Sequence, residues 1–242
     1  MIVHSPRLSE LGFKNAFSTR EGNVSVRPYS SLNLARTIGD EPSHVAENSK
    51  RFAEALGATE LYEVSQVHGA EVVDTSQGTV VEIRRRDADA LLTREAGNAV
   101  AVRTADCVPI LLADRRTGAV AAVHAGWRGV EAEIVVAAVL KLGTPSSLVA
   151  AIGPHIRVDA FEVSEEIAAR IAAVAHGQRV VHKRQPRPHV DLALTVRAQL
   201  ESVGVTQIDD VGGCTFSEPA RFFSHRRDAG QTGRHLSAIV AR

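Results

Sequence analysis

Three side chains in this sequence have the types and spacing to share one metal ion: His68, Cys107 and His124. Cys107 and His124 lie in residues 104–129, T-A-D-C-V-P-I-L-L-A-D-R-R-T-G-A-V-A-A-V-H-A-G-W-R-G. Two apolar runs there, 108–113 and 119–123, flank the polar turn Asp114-Arg115-Arg116-Thr117-Gly118, the pattern of a β-hairpin. If Asp114 lies opposite Ala119, Cys107 lies opposite Gly126, two residues from His124. Side chains alternate faces, so Cys107 and His124 then share one face as diagonal neighbours, roughly 7 Å apart at the backbone. That separation suits a thiolate and an imidazole on one zinc ion, with bonds of about 2.3 and 2.1 Å. A slip of one residue would send them to opposite faces. His68 ends a strand-like run at a turn, Val64-Ser65-Gln66-Val67-His68-Gly69, and offers a third ligand. Three protein ligands leave one position open, as in a catalytic zinc site. All three are expected on strand ends, with donor atoms within about 4 Å of one another.

The neighbours of these residues add further chemistry. Asp106 precedes the cysteine and could serve as general acid or base, or cap a turn or pair with an arginine. Cys107 with His124 as base would also make a nucleophilic thiol. Ala125-Gly126-Trp127-Arg128-Gly129 is glycine-rich enough for backbone to approach a ligand closely. Trp127 could stack on a planar ligand or pack in the core. Arg128, and Arg226 or Arg227, could hold a phosphate by forked hydrogen bonds, although Arg227-Asp228 also reads as a surface ion pair. Near the start, Arg20 and Asn33 lie in a turn-rich stretch suited to ligand binding; the competing readings are an Arg–acid pair and an Asn turn. Cys214, after Gly212-Gly213, reads as a small buried hydrophobe.

The elements that must position these groups follow from periodicity and punctuation. A helix begins near Asp40-Glu41-Pro42-Ser43, carries Val45, Phe52, Ala55 and Leu56 as its apolar stripe, and stops at Gly57. Further helices are expected at 129–142, ended by Gly143; at 164–175, capped by Ser164; and at 192–203, capped by Asp191. Strands are expected at 63–67, 71–74, 89–93, 99–103, 147–152, 180–182, 208–211, 222–225 and 235–240, besides the hairpin. Phe17-Ser18-Thr19-Arg20 reads as a strand end. Four helices among about ten strands point to a mixed α/β (α+β) architecture, one domain over residues 1–242 with layered mixed sheets flanked by helices.

Composition narrows the partners. The 28 basic and 28 acidic residues cancel, so no overall field draws nucleic acid or an anionic membrane. Two cysteines are too few for a disulfide framework. The first residues lack a charged-then-apolar signal pattern, and no apolar run approaches membrane-spanning length, so a cytoplasmic location is expected.

The motifs Gln66-Val67-His68-Gly69, Ala105-Asp106-Cys107-Val108-Pro109, residues 123–129 (V-H-A-G-W-R-G) and residues 222–228 (F-F-S-H-R-R-D) resemble the YfiH-type family. Its members have been called multicopper polyphenol oxidoreductases (laccase-like) and zinc-dependent purine nucleoside phosphorylases. The resemblance runs from residues 17–22 and Ser31-Leu32-Asn33-Leu34 to Thr232-Gly233-Arg234, nearly the whole chain. It implies a zinc enzyme that phosphorolyses adenosine, inosine or methylthioadenosine and deaminates adenosine. Its partners would be a small nucleoside and phosphate, in a monomer or small homo-oligomer. Copper oxidation of phenols is the alternative implied by the older name; the sole methionine, Met1, leaves no axial ligand of the blue-copper kind. A cysteine hydrolase or amidase, including one that edits peptidoglycan precursors, is the third class that relatives suggest. One departure stands out: where many relatives resemble G-P-C-I-G-P-C-C-Y-E-V, this chain places His155, Asp159 and Ala160 at the cysteines, so chemistry tied to that cluster is in doubt here.

Overall fold

In the computed structural model, which describes residues 2–242, alternating burial along the strands dictates how the layers stack. Met1 lies outside the described residues. The first half contains β1 (Ile2–Val3), α1 (Pro6–Glu10), β2 (Asn15–Ser18), α2 (Pro42–Leu56), β3 (Leu61–Tyr62), β4 (Val72–Asp74) and α3 (Val80–Arg84). Its middle holds β5 (Ala90–Thr93), β6 (Ala99–Thr104), β7 (Val108–Asp114), β8 (Val120–Ala125), α4 (Trp127–Glu131), α5 (Ile134–Leu142) and β9 (Leu148–Ile152). Then come α6 (Glu165–Ala173), β10 (Val181–His182), β11 (His189–Val190), α7 (Leu192–Ser202), β12 (Gln207–Asp210) and β13 (His235–Val240).

Two mixed sheets result, β1-β2-β13-β6-β3 and β12-β9-β7-β8-β5-β4, with a separate β10-β11 ribbon. Leu111 and Ala113 of β7 face Phe17, Val100, Val102 and Ile239 of the smaller sheet in one apolar cluster. Ile110 and Leu112, one residue out of phase, face Ile134, Val135 and Val139 of α5 and Val196 and Leu200 of α7. On the far side of the smaller sheet, Ala101, Leu236 and Ala238 pack on Phe52 and Leu56 of α2. The order is helix, sheet, sheet, helices, and the period of two explains why β7 is buried throughout.

The expected caps are present. Gly57 ends α2 in the left-handed region at φ 66°, and Ser164 and Asp191 accept from Ile167 N and Leu194 N. Other elements differ. The helix expected at 129–142 is two, α4 and α5, broken at Glu133 with φ 53°. At the break the Val130 carbonyl accepts from Glu133 N at 3.0 Å and also from Gln199 Nε2 of α7 at 2.8 Å. Residues 222–225 form no strand: Phe222, Phe223 and Ser224 are all fully buried, and Phe223 N–H donates to the ring Nε2 of His235 at 2.8 Å rather than to a ladder. α3 carries a capping box, Thr79 with Glu82, a T-x-x-E signal that went unread.

Two histidines are buried in the neutral form. Burial, and then the charge of Arg157, push His155 down to about 4. Burial pushes His235 down to about 3, with Arg20 and Arg234 acting in the same direction. An unfolded histidine titrates near 6.5, so below that pH the unfolded chain binds protons that the folded chain refuses, and stability falls as pH falls. Between about pH 6 and 5, above the range where carboxylates protonate, each histidine should cost about 1 kcal/mol of stability. Urea unfolding at several pH values measures the slope, and His235→Gln should remove about half of the histidine contribution.

Candidate functional site

The hairpin register is the expected one. Val108 pairs with Ala125 and Ala113 with Val120, and Asp114 N–H donates to Ala119 O at 2.8 Å. Cys107, just before β7, and His124, near the end of β8, therefore share a face. His68 joins them, and the ligand atoms of the three lie within 4.8 Å of one another, slightly wider than expected. Among the described residues this is the one group of three His, Cys or acidic side chains so placed. The rings of His68 and His124 meet edge to face, with centroids 4.8 Å apart.

His68 is not on a strand end. It sits in a turn at φ 61°, because the chain there leaves the sheet to wrap a carboxylate. Asp89 Oδ2 accepts from Val67 N at 3.2 Å and Gly69 N at 2.6 Å, and Oδ1 from His68 N at 3.0 Å. Oδ1 also takes the Nδ1 proton of His124 at 2.7 Å. Asp89 is fully buried and orients two of the three ligands, one through its ring and one through its backbone. The His124 tautomer this fixes leaves Nε2 free to ligate. Sequence reasoning passed over Asp89, since nothing local marks it. Its position follows from the pairing of Ala90 with Val123, which sets Asp89 across from His124.

Electrostatics couple the group. Burial pushes the Cys107 thiol up, but the charge and hydrogen bond of His124, with a further bond from His68, outweigh it and bring the thiol down to about 6. Burial pushes His124 down, and the Cys107 charge and the Asp89 bond reverse that to about 9. Asp89 is held below the usual carboxylate range: its burial is outweighed by bonds from His124 and the Gly69 and His68 N–H groups. These shifts favour the thiolate of Cys107, the form in which a cysteine ligates a metal. Gly126 makes room for these side chains: a Cβ there would lie 3.0 Å from His68 Cδ2 and 3.1 Å from Cys107 Sγ. Gly126→Ala should crowd His68 and Cys107 and so weaken whatever divalent metal the three side chains hold by about tenfold or more, measured by competition with a chromogenic chelator.

A cavity of about 630 Å³ opens over these residues, lined also by Asp106, Phe161, His225, Arg226 and Arg234. Asp106 reaches the wall from a turn at φ 96°. Its Oδ1 accepts from Thr215 Oγ1 at 2.6 Å and its Oδ2 from Arg226 N at 2.7 Å, so it ties the β6–β7 turn to residues 215–226. Arg226 stands over the Phe161 ring at 5.4 Å.

The other residues singled out for substrate lie outside the cavity lining. Arg20 donates to Ser30 O and Pro219 O, both at 3.0 Å. Asn33 is fully buried, donating to Asp40 Oδ2 at 2.8 Å and accepting from Arg234 N at 3.0 Å. Trp127 lies between the guanidinium groups of Arg128, 4.5 Å from its ring, and Arg170, at 5.2 Å. His155, at a position where many relatives resemble cysteine, is buried with Nδ1 on Gly153 O at 2.8 Å. Asp159 is ion-paired to Arg184.

Residues 14–242 match the family described as multi-copper polyphenol oxidoreductase laccase. A protein of Deinococcus radiodurans called purine nucleoside phosphorylase is 42% identical over 239 residues, covering 96% of this chain and 91% of its own length. The purine nucleoside phosphorylase YfiH of Escherichia coli is 39% identical over 225 residues, with 92% and 91% covered. The crystal structure of YlmD from Geobacillus stearothermophilus superposes with a TM-score of 0.86 at 32% identity, over 94% of this chain and 91% of that one. The family match runs through all three converging side chains, and the chain belongs to the multi-copper polyphenol oxidoreductase laccase family, the YfiH family.

Proposed function

We propose that the chain is a zinc-dependent purine nucleoside phosphorylase acting on adenosine, inosine and methylthioadenosine, with deamination of adenosine as a second reaction. The convergence of His68, Cys107 and His124 on the floor of one cavity carries this reading. The cavity volume is within the range of about 300–1,000 Å³ common for small-molecule sites. The names of the Deinococcus and Escherichia relatives supply the purine nucleoside class.

The donor set fits zinc: two imidazoles and a thiolate, one imidazole with its tautomer fixed by a buried carboxylate. When bound, zinc supplies Lewis acidity to a neighbouring water or substrate oxygen. The chain's own groups do the rest. Asp106 keeps lone pairs beyond the two bonds it accepts. In deamination it takes a proton from the water that adds at C6 of adenine and returns it to the departing ammonia. In phosphorolysis a phosphate oxygen attacks C1′ of the ribose while the C1′–N9 bond breaks and the purine takes up a proton. Arg226 borders the cavity on the nucleoside side, over Phe161.

A second reading has one observation in its favour. Asp89, His124 and Cys107 form an acid–base–thiol chain, so Cys107 could be the nucleophile of a cysteine hydrolase. A zinc-held thiolate is a poor free nucleophile, so the two readings are alternatives. Copper oxidation, carried by the family's description, would show as a blue absorbance.

Chromatography of adenosine incubations tests the first reading. Adenine and ribose 1-phosphate should appear in step with added phosphate, and some inosine without it. Adenine release independent of phosphate would overturn the proposal.

A further inference from the structure

The cavity carries more positive charge than the fold neutralises. Arg36, Arg84, Arg103, Arg226 and Arg234 line it with one carboxylate, Asp106, and Glu63, behind the lining, pairs with Arg36 and Arg103. Glu63 is buried and committed to Arg103, whose Nε also donates to Leu34 O at 2.7 Å. Arg36 reaches the same carboxylate only at 3.5 Å, with its side chain 41% exposed. Arg84, in the last turn of α3, has no partner: its Nε is buried and unbonded among the described residues. The hydroxyl of Thr104, next to Arg103 and lining the same cavity, is likewise buried and without a hydrogen bond. Glu63 is thus shared by Arg36 and Arg103, while Arg84 lines the cavity with no partner among the described residues.

A half-buried guanidinium without a counter-ion is costly, and a guanidinium fork matches a tetrahedral oxyanion in charge and geometry. Burial, followed by the charge of Arg36, pushes both Arg84 and Arg103 down, Arg103 to about 10. Arg20 and Arg128, by contrast, lie outside this cavity.

We propose that Arg84 and Arg36, with Arg103 and Thr104 behind them, form a subsite for a phosphoryl oxyanion on the wall of the cavity that holds His68, Cys107 and His124. The inference rests on the proposed phosphorylase reading for its role, with the oxyanion as the attacking phosphate; the subsite itself rests on the arginines alone.

Titration of the zinc-loaded protein with inorganic phosphate by calorimetry tests it. Arg84→Gln should weaken phosphate binding about tenfold, the double variant Arg36→Gln/Arg84→Gln by more, and Arg197→Gln on the outer face of α7 not at all. Circular dichroism confirms that each variant is folded. Parallel titrations with adenosine and adenosine 5′-monophosphate identify the source of the phosphoryl group. If Arg84→Gln weakens only the monophosphate relative to adenosine, the subsite stands and takes a phosphate ester. If the double variant binds both phosphate and the monophosphate as the wild type does, the subsite is overturned. Arginine-dependent phosphate binding in a protein that releases no adenine would refute the phosphorylase reading and leave the subsite standing.

Discussion

Replacing Cys107 with alanine should lower adenosine phosphorolysis and deamination together by more than about 100-fold. The thiolate supplies the one anionic ligand of the three, and its removal leaves two imidazoles whose rings meet edge to face. Two neutral nitrogens hold zinc weakly, and His124 loses the neighbouring charge that raises it. Cys214 is the matched control. Its Sγ lies 3.4 Å from Ser217 Oγ in a loop outside the cavity lining, and Cys214→Ala should leave both activities nearly unchanged. Turnover assayed side by side for the two variants, with unfolding midpoints to confirm folding, checks this. Equal activity of the Cys107 and wild-type proteins would remove the thiolate from the chemistry.

The second large effect belongs to Asp89. Its carboxylate accepts four hydrogen bonds, two on each oxygen: His124 Nδ1 and His68 N on Oδ1, Val67 N and Gly69 N on Oδ2. Asparagine has the same shape, but whichever way its amide turns, its NH₂ confronts two donors. Asp89→Asn therefore breaks two bonds in either orientation, and removes the charge that holds His124; with the NH₂ turned toward His124 the ring tautomer is lost as well. The expected loss is 10- to 100-fold in zinc affinity and turnover, taking about 10–100-fold as the usual effect of such a partner. A loss of about 1–3 kcal/mol in stability should accompany it, since buried donors are left unpaired. Chelator competition and urea unfolding read the two effects separately. Unchanged zinc affinity would show that Asp89 serves only the turn at residues 67–69.

Much of the site was legible because local rules and tertiary structure agree there. Polar turn residues between two apolar runs set the hairpin register, and register alone decides that Cys107 and His124 share a face. The caps of α2, α6 and α7 were readable for the same reason: Gly57, Ser164 and Asp191 act on their own turn of helix. What escaped was set by partners distant in sequence. Asp89 gains its role only when β5 pairs with β8. Gln199, 69 residues away from Val130, donates a second hydrogen bond to its carbonyl where α4 gives way to α5. Phe222 and Phe223 look like strand residues, yet they pack around the ring of His235; Phe223 N–H donates to that ring and Phe222 N–H to Glu218 O. Arg84 and Arg36 carry no motif; they stand out only because they line one cavity, Arg36 sharing Glu63 with Arg103 and Arg84 having no partner among the described residues.

Metal analysis of protein purified without added metal bears most directly on whether His68, Cys107 and His124 form one metal centre. One zinc per wild-type chain is expected, with a marked loss in the Cys107→Ala protein in parallel with activity. A fully active wild-type protein free of metal would contradict the centre and leave Cys107, backed by His124 and Asp89, as the nucleophile of a hydrolase.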